Sequence, residues 1–441
     1  MISSSAEQQK IWQVSAGGLH PLVEAYTVGE DYLLDEKFLL PFDIKASKAH
    51  AKMLQSIGVL TAQECEVLQK ALDEILQLWE KGEFKVPMSM EDGHTAIEAF
   101  ITAKYGDVGK KIHTGRSRND QSLVMIRLFM IESVDKQIAF VESVRDSFKE
   151  KAKAFVERNL PMPGYTHMQK AMPASVSLWL DSFASAFEDC LPSLRGVRES
   201  INQNPLGSAA GFGINHLELD REMTAKELGF ARVQSNPLYC GLSRGMFEGR
   251  VLDALCGPMV ICTRFAVDVM MFTQQEFSFF RLPDEFVTGS SIMPQKKNYD
   301  LFEIMRANGR IFFSLQQQVT QVVAGLGSGY HRDLQTTKKA FVEAVKLSES
   351  TLVLLKEAVP FLHAVEQNLK ASMTEELFVT DEVYRRVAAG EAFRSAYQIV
   401  KAEFQEKLKK KQDAQERETN ERGEDGEEGD IERGGKRRRE A

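Results

Sequence analysis

The segment "SLVMIRLFMIESVDKQIAFVESVRDSFKEKAKAF", residues 122–155, decides the fold. Its apolar side chains fall at Ile126, Met130, Val134, Ile138, Val141, Val144 and Phe148. Steps of three and four residues make one stripe along a helix. The pattern recurs over 174–198 at Val176, Leu180, Phe183, Phe187, Leu191 and Leu194, with Pro192 placed to kink it. Further long helical segments are read over 243–280, 301–325 and 334–358, and alternating strand patterns are scarce. At about 1.5 Å of rise per residue, each spans roughly 35–50 Å. Helices of that length must bury their stripes on one another, which predicts an all-α protein built on a central bundle. The many apolar positions raise the expectation of an oligomer.

Outward from the bundle the chain changes character. Residues 1–112 read as a smaller domain of shorter helices with turn signals, and 113–360 as the central bundle domain. Residues 361–405 read as a small C-terminal helical domain. In 406–441 Leu408 and Ile431 are the only large apolar residues. A tail of that kind cannot offset its own ordering, so disorder is expected beyond any helical extension of 400–418.

A 441-residue chain, 43% hydrophobic and 27% charged, reads as an ordinary soluble protein of several domains. The net charge of −8 disfavours nucleic acid as the main partner. No membrane span and no signal peptide are read. Cys65, Cys190, Cys240, Cys256 and Cys262 are scattered, as expected of free thiols in a reducing cytoplasm. The eight histidines show no metal-binding spacing, and "GFG" at 211–213 lacks the rest of a dinucleotide fingerprint. Neither metal nor cofactor is expected.

Three polar loops carry the chemistry, each just ahead of an apolar stripe. "KKIHTGRSRNDQ" (110–121) crowds His113, Thr114, Arg116, Ser117, Arg118 and Asn119 together. Asn119, Asp120 or Ser122 is expected to cap the following helix, and guanidiniums beside a helix N-terminus suit a carboxylate. "PMPGYTHMQKAMP" (161–173) frames Thr166, His167 and Gln169 between prolines, a setting for an imidazole that moves protons near neutral pH. "VTGSSIMPQKKNYDLFE" (287–303) places Ser290, Ser291, Lys296 and Asn298 on one loop. Asp300 and Glu303 have the spacing of a capping box, which leaves the hydroxyls, ammonium and amide unexplained. A fourth segment, "GLGSGYHRDLQTTKK" (325–339), adds Tyr330, Arg332, Gln335 and Lys338.

"HTGRSRNDQ", "GYTHMQ" and "GSSIMPQKKN" resemble, in order and spacing, the signature regions of the argininosuccinate lyase branch of the fumarase/aspartase superfamily. "EDGHTAIE" (91–98), "NPLGSAAGFG" (204–213), "DREMTAKELGF" (220–230) and "SGYHRDLQ" (328–335) extend the similarity over roughly residues 27–400. The resemblance implies an all-α, three-domain subunit in a cytoplasmic homotetramer, with active sites assembled from the loops of three subunits. It implies reversible cleavage of argininosuccinate to arginine and fumarate without a cofactor, on the path of arginine biosynthesis. On that reading Ser290 is the base, and Lys296 with Asn298 holds the aci-carboxylate. His167 paired with Glu303 supplies the proton. Ser117, Arg118, Asn119 and Thr166 hold the fumarate end, Tyr330, Gln335 and Lys338 the arginine end, and His94 and Gln169 line the pocket. A related lyase for another succinyl compound and a crystallin-like structural oligomer are the alternatives.

The chain departs from the family pattern in places. Tyr299 follows the loop asparagine in place of proline, and Ala46 stands in "FDIKASKAH" (42–50) where glycine is usual. "SNPLYCGLSRGMFE" (235–248) replaces a common stretch, and only "IWQVSAGG" (11–18) stands near the usual N-terminal element.

Overall fold

The computed structural model describes residues 19–436, with side chains to residue 414; "IWQVSAGG" lies outside the described residues. The chain forms two compact units. One comprises Met1–Lys151, Asp181–Glu276 and Leu282–His363, and the other Ala152–Leu180, Phe277–Arg281 and Ala364–Ala441.

In the first unit a short helix, α1 (Pro21–Val28), precedes α2 (Leu40–Ser56), α3 (Ala62–Glu80) and α4 (Gly93–Tyr105). Thr61 and Glu64 form a capping box that starts α3. Helices α2 to α4 enclose a core that includes Ile44, Leu54, Leu68, Leu72, Ile97 and Ile101. Ala46 is buried in a neighbouring cluster with Ala49, Val124, Leu128 and Leu206, so its methyl packs in the interior.

The long helices expected from the stripes form: α5 (Arg118–Val156), α6 (Val176–Ile201), α7 (Met246–Thr273), α8 (Asp300–Val323) and α9 (Thr337–Ala358). Ring contacts record how they meet. Phe148 of α5 lies 5.7 Å from Phe183 and 5.9 Å from Phe187 of α6. It meets Phe265 of α7 edge-on at 4.8 Å, and Phe265 reaches Phe302 of α8 at 6.1 Å. Phe129 joins α5 to Phe341 of α9. Burying each such ring stabilises the bundle by about 1.5–3 kcal/mol. Gly309 lets α8 close on α7, since a Cβ there would meet Thr263 Cγ2 at 2.1 Å. By length and composition α7 is apolar enough to cross a membrane, but Phe247, Val251, Leu255, Cys262, Phe265 and Val269 are buried inside the bundle.

The second unit contains a hairpin that the sequence does not announce. Strands β1 (Pro161–Thr166) and β2 (Gln169–Ser175) pair antiparallel, Thr166 opposite Gln169. His167 and Met168 form the two-residue turn, both in the left-handed region at φ 53° and 60°. Prolines fit because each strand of a two-stranded ribbon is an edge. Helix α10 (Phe393–Lys436) extends beyond the residue-418 limit allowed from composition. Near its middle Lys407 and Lys411 both reach Glu375.

Candidate active site

Ser117 stands immediately before α5 and begins a reciprocal cap. Its Oγ accepts from the Asn119 N–H at 3.2 Å, while Asp120 Oδ1 accepts the Ser117 N–H at 2.9 Å. The cap expected of Asn119, Asp120 or Ser122 thus falls on Ser117. The second oxygen of Asp120 accepts the N–H groups of Gly207 and Ala209 at 3.0 and 3.1 Å. One buried carboxylate therefore fixes two of the quoted motifs against each other, with burial raising its pKa above the ordinary range.

This arrangement points Arg118 and Asn119 into a cavity of about 160 Å³. His94, Tyr330, Gln335 and Lys338 line it too, so six of the expected substrate-binding residues share one wall-to-wall space within the first unit. Acidic side chains also line it: Asp31, Asp35, Asp43, Glu91 and Asp92. They were not singled out from the sequence. The i,i+4 spacing of Asp31 and Asp35 on one helical face was the available signal.

The charges pair closely. Arg118 Nε donates to Asp92 Oδ2 at 2.6 Å and its Nη2 to Glu91 at 3.2 Å. Lys338 Nζ meets Asp31 at 2.7 Å and Asp35 at 3.1 Å. Burial alone would lower the pKa of Lys338, but the two aspartates outweigh it and hold the ammonium above its usual range. Burial pushes Asp35 up to about 6 despite that ammonium, and Asp43 up to about 6 despite Arg116. Gln335 Nε2 donates to the Thr27 and Val28 carbonyls at 3.1 and 3.3 Å, anchoring the end of α1.

A second layer lies beneath. The Arg116 side chain is fully buried, with Nη1 donating to Ser47 Oγ at 2.9 Å and Nη2 3.9 Å from Asp43. The rings of His94 and His113 stack at 3.5 Å, and His50 Nε2 donates to the Thr114 carbonyl at 2.9 Å. Burial, reinforced by Arg116, holds all three imidazoles well below their usual pKa and hence neutral.

The remaining expected residues stand elsewhere. Ser290 follows a short ribbon of β3 (Thr288–Gly289) and β4 (Lys297–Asn298), and its Oγ accepts from Met293 N–H at 3.1 Å. Ser291 to Lys297 are exposed, Lys296 among them, and none of Ser290, Lys296, Asn298 and Glu303 lines the cavity. The capping box expected of Asp300 and Glu303 does not form. Tyr299 is the cap residue without a side-chain bond, and Asp300 instead accepts from Thr288 Oγ1 at 2.7 Å. Thr166, His167 and Gln169 are exposed on the hairpin of the second unit. Among the described residues no group of three or more His, Cys, Asp or Glu side chains could hold a metal ion.

Cavity and signature loops on a long-helix bundle define a class: the profile of the family described as Lyase matches residues 24–312, and the chain belongs to that family. Curated relatives specify it further. The argininosuccinate lyase of Stenotrophomonas maltophilia (strain R551-3) is 41% identical over 392 residues, 89% of this chain and 90% of the relative. That of Thermotoga neapolitana is 40% identical over 394 residues, 89% of this chain and 97% of the relative. These relatives bear out the resemblance carried by the three signature loops. Among solved structures, EDDS lyase in complex with formate superposes with a TM-score of 0.73 at 23% identity, covering 88% of this chain and 76% of that one. A class II fumarase from Schistosoma mansoni also gives 0.73, at 16% identity, covering 87% and 88%. They share the all-α fold.

Proposed function

We propose that this chain is an argininosuccinate lyase, cleaving argininosuccinate reversibly to arginine and fumarate in the cytoplasm as a homotetramer. One observation carries the reading. The 41% identity to a curated argininosuccinate lyase extends over 89% of this chain and 90% of the relative. The exposed signature loop around Ser290, which does not line the cavity of its own unit, supports a site completed by loops of neighbouring subunits.

In the proposed chemistry the Ser290 alkoxide removes the proton next to a carboxylate of the succinyl group. Lys296 and Asn298 hold the doubly charged aci-carboxylate that results, an electrostatic task worth most in a closed, water-poor site. His167, charged by Glu303, delivers a proton to the departing guanidine nitrogen as the carbon–nitrogen bond breaks. The proton removed by serine, the electron pair left on nitrogen and the new double bond of fumarate balance the step. Adding argininosuccinate to the purified protein should raise the ultraviolet absorbance of fumarate. An inert, correctly assembled wild type would refute the assignment.

The altered segment 235–248 favours one second reading, a lyase of the same mechanism for another N-linked succinyl compound. A panel of such substrates separates the two.

A further inference from the structure

The cavity contains four cations, and three are committed. Arg118 is held by Glu91 and Asp92, and Lys338 by Asp31 and Asp35. Arg332 donates to the Thr27 carbonyl at 3.0 Å and lies 3.8 Å from Glu91. The fourth, Arg244, has no ion pair and no side-chain hydrogen bond among the described residues, although the residue is only 5% exposed. A guanidinium removed from water needs an anion or acceptors, since an unpaired buried charge is strongly unfavourable. The structure leaves it facing the cavity.

Its surroundings are built to hold it there. The guanidinium lies over the Tyr330 ring, 5.2 Å from the centroid, a cation–π contact that fixes its plane. On either side of Arg244 in sequence, Arg127 holds the side chains of Ser243 and Phe247. Its guanidinium donates to Ser243 Oγ at 3.0 Å and to the Gln203 carbonyl at 2.9 Å, and stacks over Phe247 at 4.3 Å. Gly245 turns the chain at φ 75°, in a space where a Cβ would meet Val323 Cγ2 at 2.3 Å. The nearest buried carboxylate on the following helix, Glu248, is turned to the Gly245 N–H at 2.7 Å. Arg244 also lies within electrostatic reach of Lys338. Glu248 lies within electrostatic reach of Arg244 without forming an ion pair with it, so an anion entering beside Tyr330 would meet a preset guanidinium whose N–H donors are not taken by another side chain.

We infer that Arg244 is a specificity-determining residue that receives the α-carboxylate of the amino-acid end of the substrate. This rests on the argininosuccinate reading above and adds the group that tells an amino acid from the corresponding amine. Arginine forks pair with carboxylates through two parallel N–H donors, and no other uncommitted side chain in the cavity offers that geometry.

The test compares arginine with agmatine, which lacks only the carboxylate. With fumarate as co-substrate in the reverse reaction, Arg244→Gln should lower kcat/KM for arginine by about 10- to 100-fold. It should leave agmatine and the KM for fumarate nearly unchanged, so the preference collapses. Arg244→Lys should retain part of it. Calorimetric binding of arginine and of agmatine to the wild type and to Arg244→Gln gives the same ratio without turnover. An equal fall for both ligands, or an arginine preference that survives in Arg244→Gln, overturns the inference. A wild type that binds arginine selectively yet cleaves no argininosuccinate overturns the functional reading and leaves this one standing.

Discussion

Lys338 and Asp35 face each other at 3.1 Å inside the protein, both side chains almost sealed from solvent, with Asp31 at 2.7 Å on the same ammonium. The contact ties the start of α9 to the helical turn that follows α1, segments some three hundred residues apart in sequence. Replacing Lys338 by Met leaves the buried Asp35 and the half-buried Asp31 without their shared counter-charge. Breaking such a pair costs about 3–5 kcal/mol. Urea denaturation should show a loss of that size, and Lys338→Arg should recover part of it.

The three neutral imidazoles set a pH dependence. Folding holds His50, His94 and His113 below their ordinary value of 6.5, so the unfolded chain binds more protons as the medium acidifies. Stability is therefore lost as pH falls through 6.5, by up to about 1.4 kcal/mol per pH unit for each site. Asp35 and Asp43 act in the opposite sense. Raised to about 6 from an ordinary 3.8, they take up protons more readily when folded and gain stability as pH falls across that window. Asp120 and Glu248, also raised by burial, act in the same sense as the two aspartates. Compared with the parent protein, His113→Gln should therefore lose less unfolding free energy on going from pH 7 to 6, whatever its absolute stability.

Ser290→Ala should keep the helical fold and lose fumarate formation. Removing a positioned base lowers turnover by about 10²–10⁴. Circular dichroism checks the fold, and an active Ser290→Ala protein would remove the serine from the proposed mechanism.

Lys296→Met should act on turnover more than on binding, because the charge it offsets appears only as the reaction proceeds. A loss of about 10²–10³ in kcat is expected. A raised KM with unchanged kcat would assign Lys296 to ground-state binding.

Truncation after residue 405 should leave kcat and KM unchanged. Lys407 and Lys411 meet Glu375 on the open surface, where water screens the pairing. Steady-state kinetics of the shortened protein decides the point.

The long helices were legible because a stripe such as Val134–Val141–Val144–Phe148 repeats at helical spacing and has only one face to bury. Five cavity residues were legible because their motifs crowd chemistry that capping does not need, and His94 came from the family resemblance alone. The hairpin at 161–175 was hidden, since its prolines mask the alternation that marks a strand. Arg244 was hidden for another reason. What makes it available is the commitment of every neighbouring cation, a property of Asp31, Asp35, Glu91 and Asp92 arriving from distant segments. The cap at α5 fell one turn earlier than Asp120 suggested because that carboxylate is shared among Ser117, Gly207 and Ala209.

The turn at His167 and Met168 bears on attempts to make this enzyme more robust. Two side chains in left-handed backbone each carry a local penalty of about 1–2 kcal/mol, which glycine or asparagine would relieve. A stabilisation campaign scoring folding alone would select both positions. Met168→Gly should raise the melting temperature harmlessly, whereas His167→Asn should raise it and remove the proposed acid. Heat tolerance and turnover would then be traded at adjacent residues of the same bend.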